Sequence, residues 1–448
     1  PRQLRRAINR RDVLRTTGGV AGAVAGAGML GRGRRARGQE AVTLQVWDGY
    51  ARPGESLVMD TLNSEFEAAH EGVTIERTAR TFDDLKATVR LALSSDDGPD
   101  VAQVNQGLSD MGAMAEAGLL RDLGPYAEEY GWFDLLSPSL VARNSFAENG
   151  TVFGEGTFYG MPPTAEFVGV IFNREKVEAA TRAVPATFGE LETLLAALAE
   201  AGEVPIAFGN LEGWPAIHVY GELQNLWLDR AYLDDFIYAR NDVSFAIAGN
   251  TDAAAKTQEW VEANYFTPDF SGIGYDDSWA AFSTGQGGMM ITGSWLSGEL
   301  EAAGVADRFG FFLFPPLEAG ADKMSVAGTS MGFAIRETSP NADLAAEYID
   351  WTVSDRAAEL WAEAGIVSVN ADPALVEGVD GIYAELVRAW AQLNSTDTVG
   401  HYPDWATPTL YNTLVASLQE LMGMAISPDE FTAQIEADYV AYLAEKNA

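Results

Sequence analysis

Val42-Thr43-Leu44-Gln45-Val46-Trp47 alternates as a strand, Ser56 to His70 carries Leu57, Leu62 and Phe66 at helical spacing, and Val73 to Thr78 alternates again. That succession is a βαβ unit, and it commits the chain to a parallel sheet flanked by helices. A second helix, Phe82 to Leu93, is followed by the Gly98-Pro99-Asp100 turn and a short strand at Val101 to Val104, so the α/β pattern continues.

After Thr151 the pattern changes. Two glycine-rich hairpin segments, Thr151 to Phe153 and Thr157 to Gly160, precede the apolar strand Phe167 to Phe172. Thr187-Phe188-Gly189-Glu190 is a capping box for a helix ending near Ala201, because the threonine can accept from the third helical N–H while the glutamate reaches back. Pro205 to Phe208 reads as another strand, which makes a second α/β domain. Ser339-Pro340 predicts a cap with proline at the first helical position for Asn341 to Val353, and Ser427-Pro428-Asp429-Glu430 does the same for the last helix. At 448 residues the chain is too long for one core and suits two domains of about 200 residues each.

The first forty residues read differently. Asn9-Arg10-Arg11-Asp12-Val13-Leu14-Arg15 leads into the Gly/Ala-rich, uncharged stretch Thr16 to Gly31 and then into Arg32 to Gly38. This is the layout of a twin-arginine export signal over residues 1–38, so the protein is expected in the periplasm or outside the cell. Cysteine is absent, which removes disulfides, thiolate metal ligands and the residue a lipoprotein anchor would modify. No later stretch approaches the roughly 18 consecutive apolar residues of a membrane span. The mature chain is expected to be soluble.

Beyond residue 38 there are 64 acids against 19 bases, of which five in the whole chain are lysine. Such a surface repels phosphate backbones and anionic lipid, which excludes nucleic acid as a partner, and it fits an origin in high salt.

Most catalytic strings fail on context. Gly26-Ala27-Gly28-Met29-Leu30-Gly31 matches a dinucleotide fingerprint, with no strand before it. Gly328-Thr329-Ser330-Met331-Gly332 matches a nucleophile elbow, and His401 follows it, but Phe333 to Arg336 reads as strand where a helix is required. His70, His218 and His401 have no paired spacing, so neither a metal nor a cofactor is expected. What remains is aromatic and amide chemistry. Trp47-Asp48, Glu212-Gly213-Trp214, Gly293-Ser294-Trp295 and Asp404-Trp405 set indoles beside short polar groups, which suits sugars with their apolar ring faces and hydroxyl rims.

Four segments together resemble the family 1 extracellular solute-binding proteins of ABC importers. They are Gly98-Pro99-Asp100-Val101 with Ala117 to Leu123, Tyr159-Gly160-Met161-Pro162 with Val170 to Arg174, Phe282 to Trp295, and Ser325 to Ile335 ahead of Pro340. The resemblance implies a two-lobed, periplasmic-binding-protein-like α/β fold of type II with ligand in the cleft between lobes. Lobe 1 would comprise 41–162 and 329–375, and lobe 2 would comprise 163–328 and 376–448. It implies no enzymatic activity, a sugar or oligosaccharide ligand, permease subunits in the membrane as partners, and a monomer. Matching positions one at a time, Trp295 falls on the ring-stacking tryptophan, and Glu166 keeps its offset from the Ile171-Phe172-Asn173 strand. Glu212 and Trp214 lie in a contact loop. Trp47 and Asp48 end the first strand, Gln106 stands where an acid is usual, and Trp405 lies in the last cleft loop. The implied hinges are Gly160 to Thr164 and Gly328 to Gly332, and the scarcity of bases disfavours a phosphorylated ligand. The alternative is a secreted carbohydrate-active hydrolase using Glu166 and Glu212 as paired carboxylates.

Overall fold

The computed structural model describes residues 41–181 and 183–446, so the export segment read over 1–38 lies outside the described residues. The βαβ unit forms as β1 (Val42–Asp48), the Pro53–Ala69 helix and β2 (Val73–Ala79). β3 (Val101–Val104) follows the Phe82–Leu93 helix, and the first sheet has the order β11-β3-β1-β2, with β11 (Gly332–Ile335) antiparallel to β3. β1 is parallel to both of its neighbours.

The first helix begins at Pro53, not Ser56, and buries Glu55, Val58, Met59, Leu62, Asn63 and Phe66. Leu57, read as part of its apolar face, is 68% exposed. Leu57 stands five residues before Leu62 and so falls off the face shared by Val58, Leu62 and Phe66, while the earlier start brings Glu55 onto that face.

The expected hairpin after Thr151 does not close on itself. β5 (Val152–Phe153) and β6 (Thr157–Phe158) both pair with β4 (Ser145–Ala147) between them, and Phe146 stacks on Phe153 at 4.9 Å. The second large sheet is built antiparallel around β7 (Ala165–Asn173), which pairs with β8 (Met289–Gly293), β9 (Phe309–Phe312) and β10 (Ala327–Thr329). Its alternate residues enter two cores, since a strand covered on both sides points successive side chains to opposite faces. Phe167 and Ile171 join Leu44, Val46 and Phe333, whereas Val168, Val170 and Phe172 join Leu194, Tyr220 and Trp260.

Pro205 to Phe208, read as a strand, narrows to single bridges at Ile206. Its donors divide between neighbours: Ile206 N reaches Tyr265 O, Ala207 N reaches Met289 O, and Phe208 N reaches the Thr267 hydroxyl, so no ladder forms. The Thr187 capping box is present and opens the Phe188–Glu200 helix. Ser427 and Glu430 bond reciprocally at the head of the Pro428–Lys446 helix. Ser339 behaves otherwise. Its hydroxyl donates to Asp100 Oδ1 and accepts from Asn341 N, and the helix starts at Ala342, leaving Pro340 outside it.

The chain passes between the two sheets at three places that hydrogen-bond to one another. Met161 and Phe333 exchange backbone bonds, Ser330 N donates to Thr164 O at 2.9 Å, and Ala165 N donates to Val367 O at 2.9 Å. The third crossing, through 366–369, had no sequence signal of a hinge. Gly160 and Gly332 lie back to back there, where a Cβ on Gly332 would sit 2.9 Å from the Gly160 backbone. Tyr50 ties two of these strands from the first sheet, its hydroxyl lying 3.1 Å from Ser330 Oγ and 3.2 Å from Thr164 Oγ1.

Candidate ligand-binding site

A cavity of about 140 Å³ opens where the ends of the two sheets meet. The first sheet contributes the loops that leave the carboxyl ends of β1 and β3, the edge at which an open α/β sheet frees its backbone for contacts. At this edge Gly49, Tyr50, Arg52, Glu55, Gln103, Asn105 and Gln106 line the cavity, and Phe82 comes from the head of the next helix. The second sheet sends in Glu166 from β7 and Trp295 from the turn after β8. Trp214 and His218 stand one turn apart at the start of the Pro215–Trp227 helix, so they share a face. Tyr402, Asp404 and Trp405 come from the turn at Pro403–Ala406, and Thr329 to Met331 from the crossing strand.

The walls are aromatic. The His218 ring lies 5.2 Å from Trp214, 5.5 Å from Trp295 and 5.7 Å from Tyr402, and Tyr402 is 5.3 Å from Trp405. Trp295 is held at its edge, where Nε1 donates to the Tyr275 hydroxyl at 2.8 Å. The other fixed indole is Trp405: Gly107 adopts φ +88° against it, and a Cβ there would meet the ring at 2.7 Å. A side chain at that position would be both strained and obstructed.

Four ionisable groups other than tyrosine and histidine line the cavity, three of them acidic. Burial pushes Glu166 up to about 8, helped by the charge of Glu55 and opposed by Arg52. Burial likewise raises Glu55 to about 7 against the pull of Arg52, and Asp404 to about 6 against Lys86. Arg52 lies 3.9 Å from Glu55 and 3.4 Å from Asp276. Burial alone lowers His218 to about 3, so its imidazole is neutral, with Nδ1 lacking a partner among the described residues. Trp214 Nε1 is similarly unpartnered.

Of the residues singled out in the sequence, Gln106, Glu166, Trp214, Trp295 and Trp405 line the cavity. Gln106 directs its amide nitrogen to Ser330 O at 2.8 Å, which leaves its Oε1 as the end available to a ligand. Trp47, Asp48 and Glu212 are outside the lining. Arg80 lies 4.1 Å over the Trp47 ring. Asp48 is fully buried in a two-point pair with Arg77, at 2.6 and 2.7 Å, where it anchors β1 to β2. Glu212 accepts Tyr275 N at 3.0 Å and so caps the Tyr275–Ser283 helix.

Sequence reasoning missed His218, Tyr402, Arg52 and Glu55 as lining residues, and noted Asp404 only as the polar neighbour of Trp405. His218 was recoverable from its four-residue spacing from Trp214, and Tyr402 from its nearness to Trp405. Ser330 of the elbow-like string accepts from the Tyr50 hydroxyl and from Thr164 N, and strand β11 follows it, as the sequence required. His401 pairs with Asp234. Among the described residues no group of three or more histidines and carboxylates is placed to hold a metal, and no helix is long and apolar enough to cross a membrane.

Two α/β lobes joined by crossing strands around an aromatic-walled cleft define the class of two-lobed solute receptors. A family model described as bacterial extracellular solute-binding protein matches residues 54–359, and the chain belongs to that family. The Multiple sugar-binding protein of Streptococcus mutans is 22% identical over 227 residues, 49% of this chain and 52% of that protein. An ABC transporter extracellular-binding protein of Pyrococcus horikoshii is 21% identical over 274 residues, 59% of this chain and 58% of its own length. The chain thus spans about half the length of the curated relatives it matches. Among solved structures, a chitin oligosaccharide binding protein superposes with a TM-score of 0.74 at 19% identity, covering 90% of this chain and 100% of that one. The GacH receptor of Streptomyces glaucescens, solved unliganded and with acarbose, gives a TM-score of 0.70 at 19% identity over 90% and 98% of the two chains.

Proposed function

We propose that this chain is the extracytoplasmic solute-binding protein of an ABC importer, which captures a sugar or oligosaccharide by lobe closure and delivers it to permease subunits in the membrane. The observation that carries this reading is the meeting of aromatic rings and free polar ends between two sheets joined by hydrogen-bonded crossing strands. Flat rings suit the C–H face of a sugar, and buried acceptors left unpaired without the right hydroxyls give selectivity. A ligand touching both lobes stabilises the closed arrangement by the contacts it makes only there. Named relatives that bind sugars support the same ligand class. Lobe bounds at 41–162 with 329–375 and at 163–328 with 376–448, a monomeric state, and export through the 1–38 segment belong to this proposal.

The hydrolase reading needs two carboxylates facing each other across a bond. Glu212 is engaged in capping a helix away from the lining, which favours binding over turnover.

The test is calorimetry on hits from a thermal-shift screen of carbohydrates, with Trp295→Ala beside the parent protein. The substitution is expected to weaken binding more than tenfold with the circular dichroism unchanged. Unchanged affinity, or release of a cleaved product, overturns the proposal.

A further inference from the structure

Fully ionised, the acids of the cavity would outnumber its cations. With Glu166 pushed up to about 8 and Glu55 to about 7, the cavity alone offsets that excess with bound protons at pH 7, which an incoming cation would displace. Glu55, Glu166 and Asp404 face a single lining cation, Arg52, and that guanidinium already lies between Glu55 and Asp276. Lys86 stands near Asp404, over the Tyr411 ring and 3.1 Å from Asp110. The cation whose charge reaches Glu166 is Arg52, already shared with Glu55 and Asp276. The Glu166 carboxylate forms no hydrogen bond or ion pair among the described residues, and its charge is opposed by that of Glu55. Glu55 is 4% exposed, and its Oε2 is buried with no partner.

A carboxylate withheld from water must be protonated, paired or hydrogen-bonded. Glu55 Oε2 belongs to such a group, and Glu166, half-buried on β7, adds a like charge near it. Sugar hydroxyls can donate to such oxygens, yet they bring no charge to offset the repulsion. An ammonium brings both, with up to three donors and a charge-assisted bond of roughly twice the neutral strength. The walls suit a cation too. Trp214, Trp295 and Tyr402 line the cavity with π systems of the kind that attract positive charge, and His218, neutral at physiological pH, adds no competing one.

We propose that the saccharide taken by this site carries a protonated amine, held by Glu166 and Glu55 inside the aromatic walls. This rests on the sugar-binding reading above and narrows it to amino sugars.

The test titrates the full chain at pH 7 and low salt with glucosamine, galactosamine, mannosamine and β-1,4-linked diglucosamine. Each is paired with its parent hydroxyl sugar and its N-acetyl form. At least one amino form is expected to bind ten times more tightly than both of its partners, and Glu166→Gln is expected to bring that ratio below three. Glu55→Gln serves as the second variant should the first not fold, with the same loss of discrimination expected. If parent sugars bind and no amino form binds more tightly, the inference fails while the sugar-binding reading stands. If no saccharide in any series binds, that reading fails and the inference falls with it. A ratio unchanged in a folded Glu166→Gln protein removes Glu166 from amine recognition and overturns the proposal as stated.

Discussion

His218 sits at the centre of the aromatic box and was passed over in the sequence because a histidine is informative there only as a metal ligand or catalyst. Its role in the structure is that of a flat, uncharged ring, and this has a thermodynamic cost at low pH. The folded protein binds a proton at His218 only near pH 3, whereas an unfolded histidine does so near its ordinary value of 6.5. For a base with a depressed folded value, stability is whole above the unfolded value and is lost as pH falls below it. At pH 5 the loss from this residue is about 2 kcal/mol. His218→Gln should therefore lose about 2 kcal/mol less than the parent protein when urea denaturation is moved from pH 7 to pH 5. Equal losses would mean that the imidazole is hydrated. Other positions show the limits of reading residue by residue. Trp214, Trp295 and Trp405 stood out because indoles beside short polar groups are rare in apolar periodic runs. Asp48 shared that look, but its partner Arg77 lies on the next strand, and a pairing across strands leaves no local trace.

Elements were legible where a local interaction decides them. The Thr187 box needs only four consecutive residues, and β1 and β2 announce themselves by alternation. Where a distant partner competes, the local reading fails. Ser339 has the chemistry of a cap, but Asp100 from the turn before β3 takes its hydroxyl. The Pro205 segment has strand composition, yet its neighbours sit on different sides and leave only bridges. The third crossing through 366–369 was invisible because its strand character exists only against Pro163 to Ala165. At the paired glycines the prediction is steric. Gly332→Ala places a methyl 2.9 Å from the Gly160 backbone, which cannot move aside as the end of a side chain could. A loss of about 1–3 kcal/mol is expected, read as a lower urea midpoint. An unchanged midpoint would show that the crossing strands separate more easily than their bonds imply.

Across the whole molecule, charge is the dominant feature. With 64 acids against 19 bases beyond residue 38, self-repulsion opposes the compact state. Screening shortens from about 30 Å at 0.01 M salt to about 3 Å at 1 M. Thermal midpoints should rise steadily as sodium chloride is raised over that range, and a flat or falling curve would contradict the expectation. The two-sheet plan itself was readable from alternation and length, whereas the part Glu55 plays in the cavity was not, because a helix read from Ser56 leaves Glu55 outside it and only the start at Pro53 sets it in the first turn on the buried face.

The placement of β11 beside β3 has a consequence for how the protein is made. Gln103 on β3 and Met331 at the entrance to β11 are bonded although they stand 228 positions apart. The outer edge of β3 therefore waits, unpaired, while most of the second sheet is being synthesised, and pairing across such a span closes slowly. Until then the nascent chain carries a raw strand edge of the kind that invites mispairing. The N-terminal half can finish only after the C-terminal half has largely emerged, so any truncation short of residue 335 should yield an aggregating fragment and not an autonomous half-receptor.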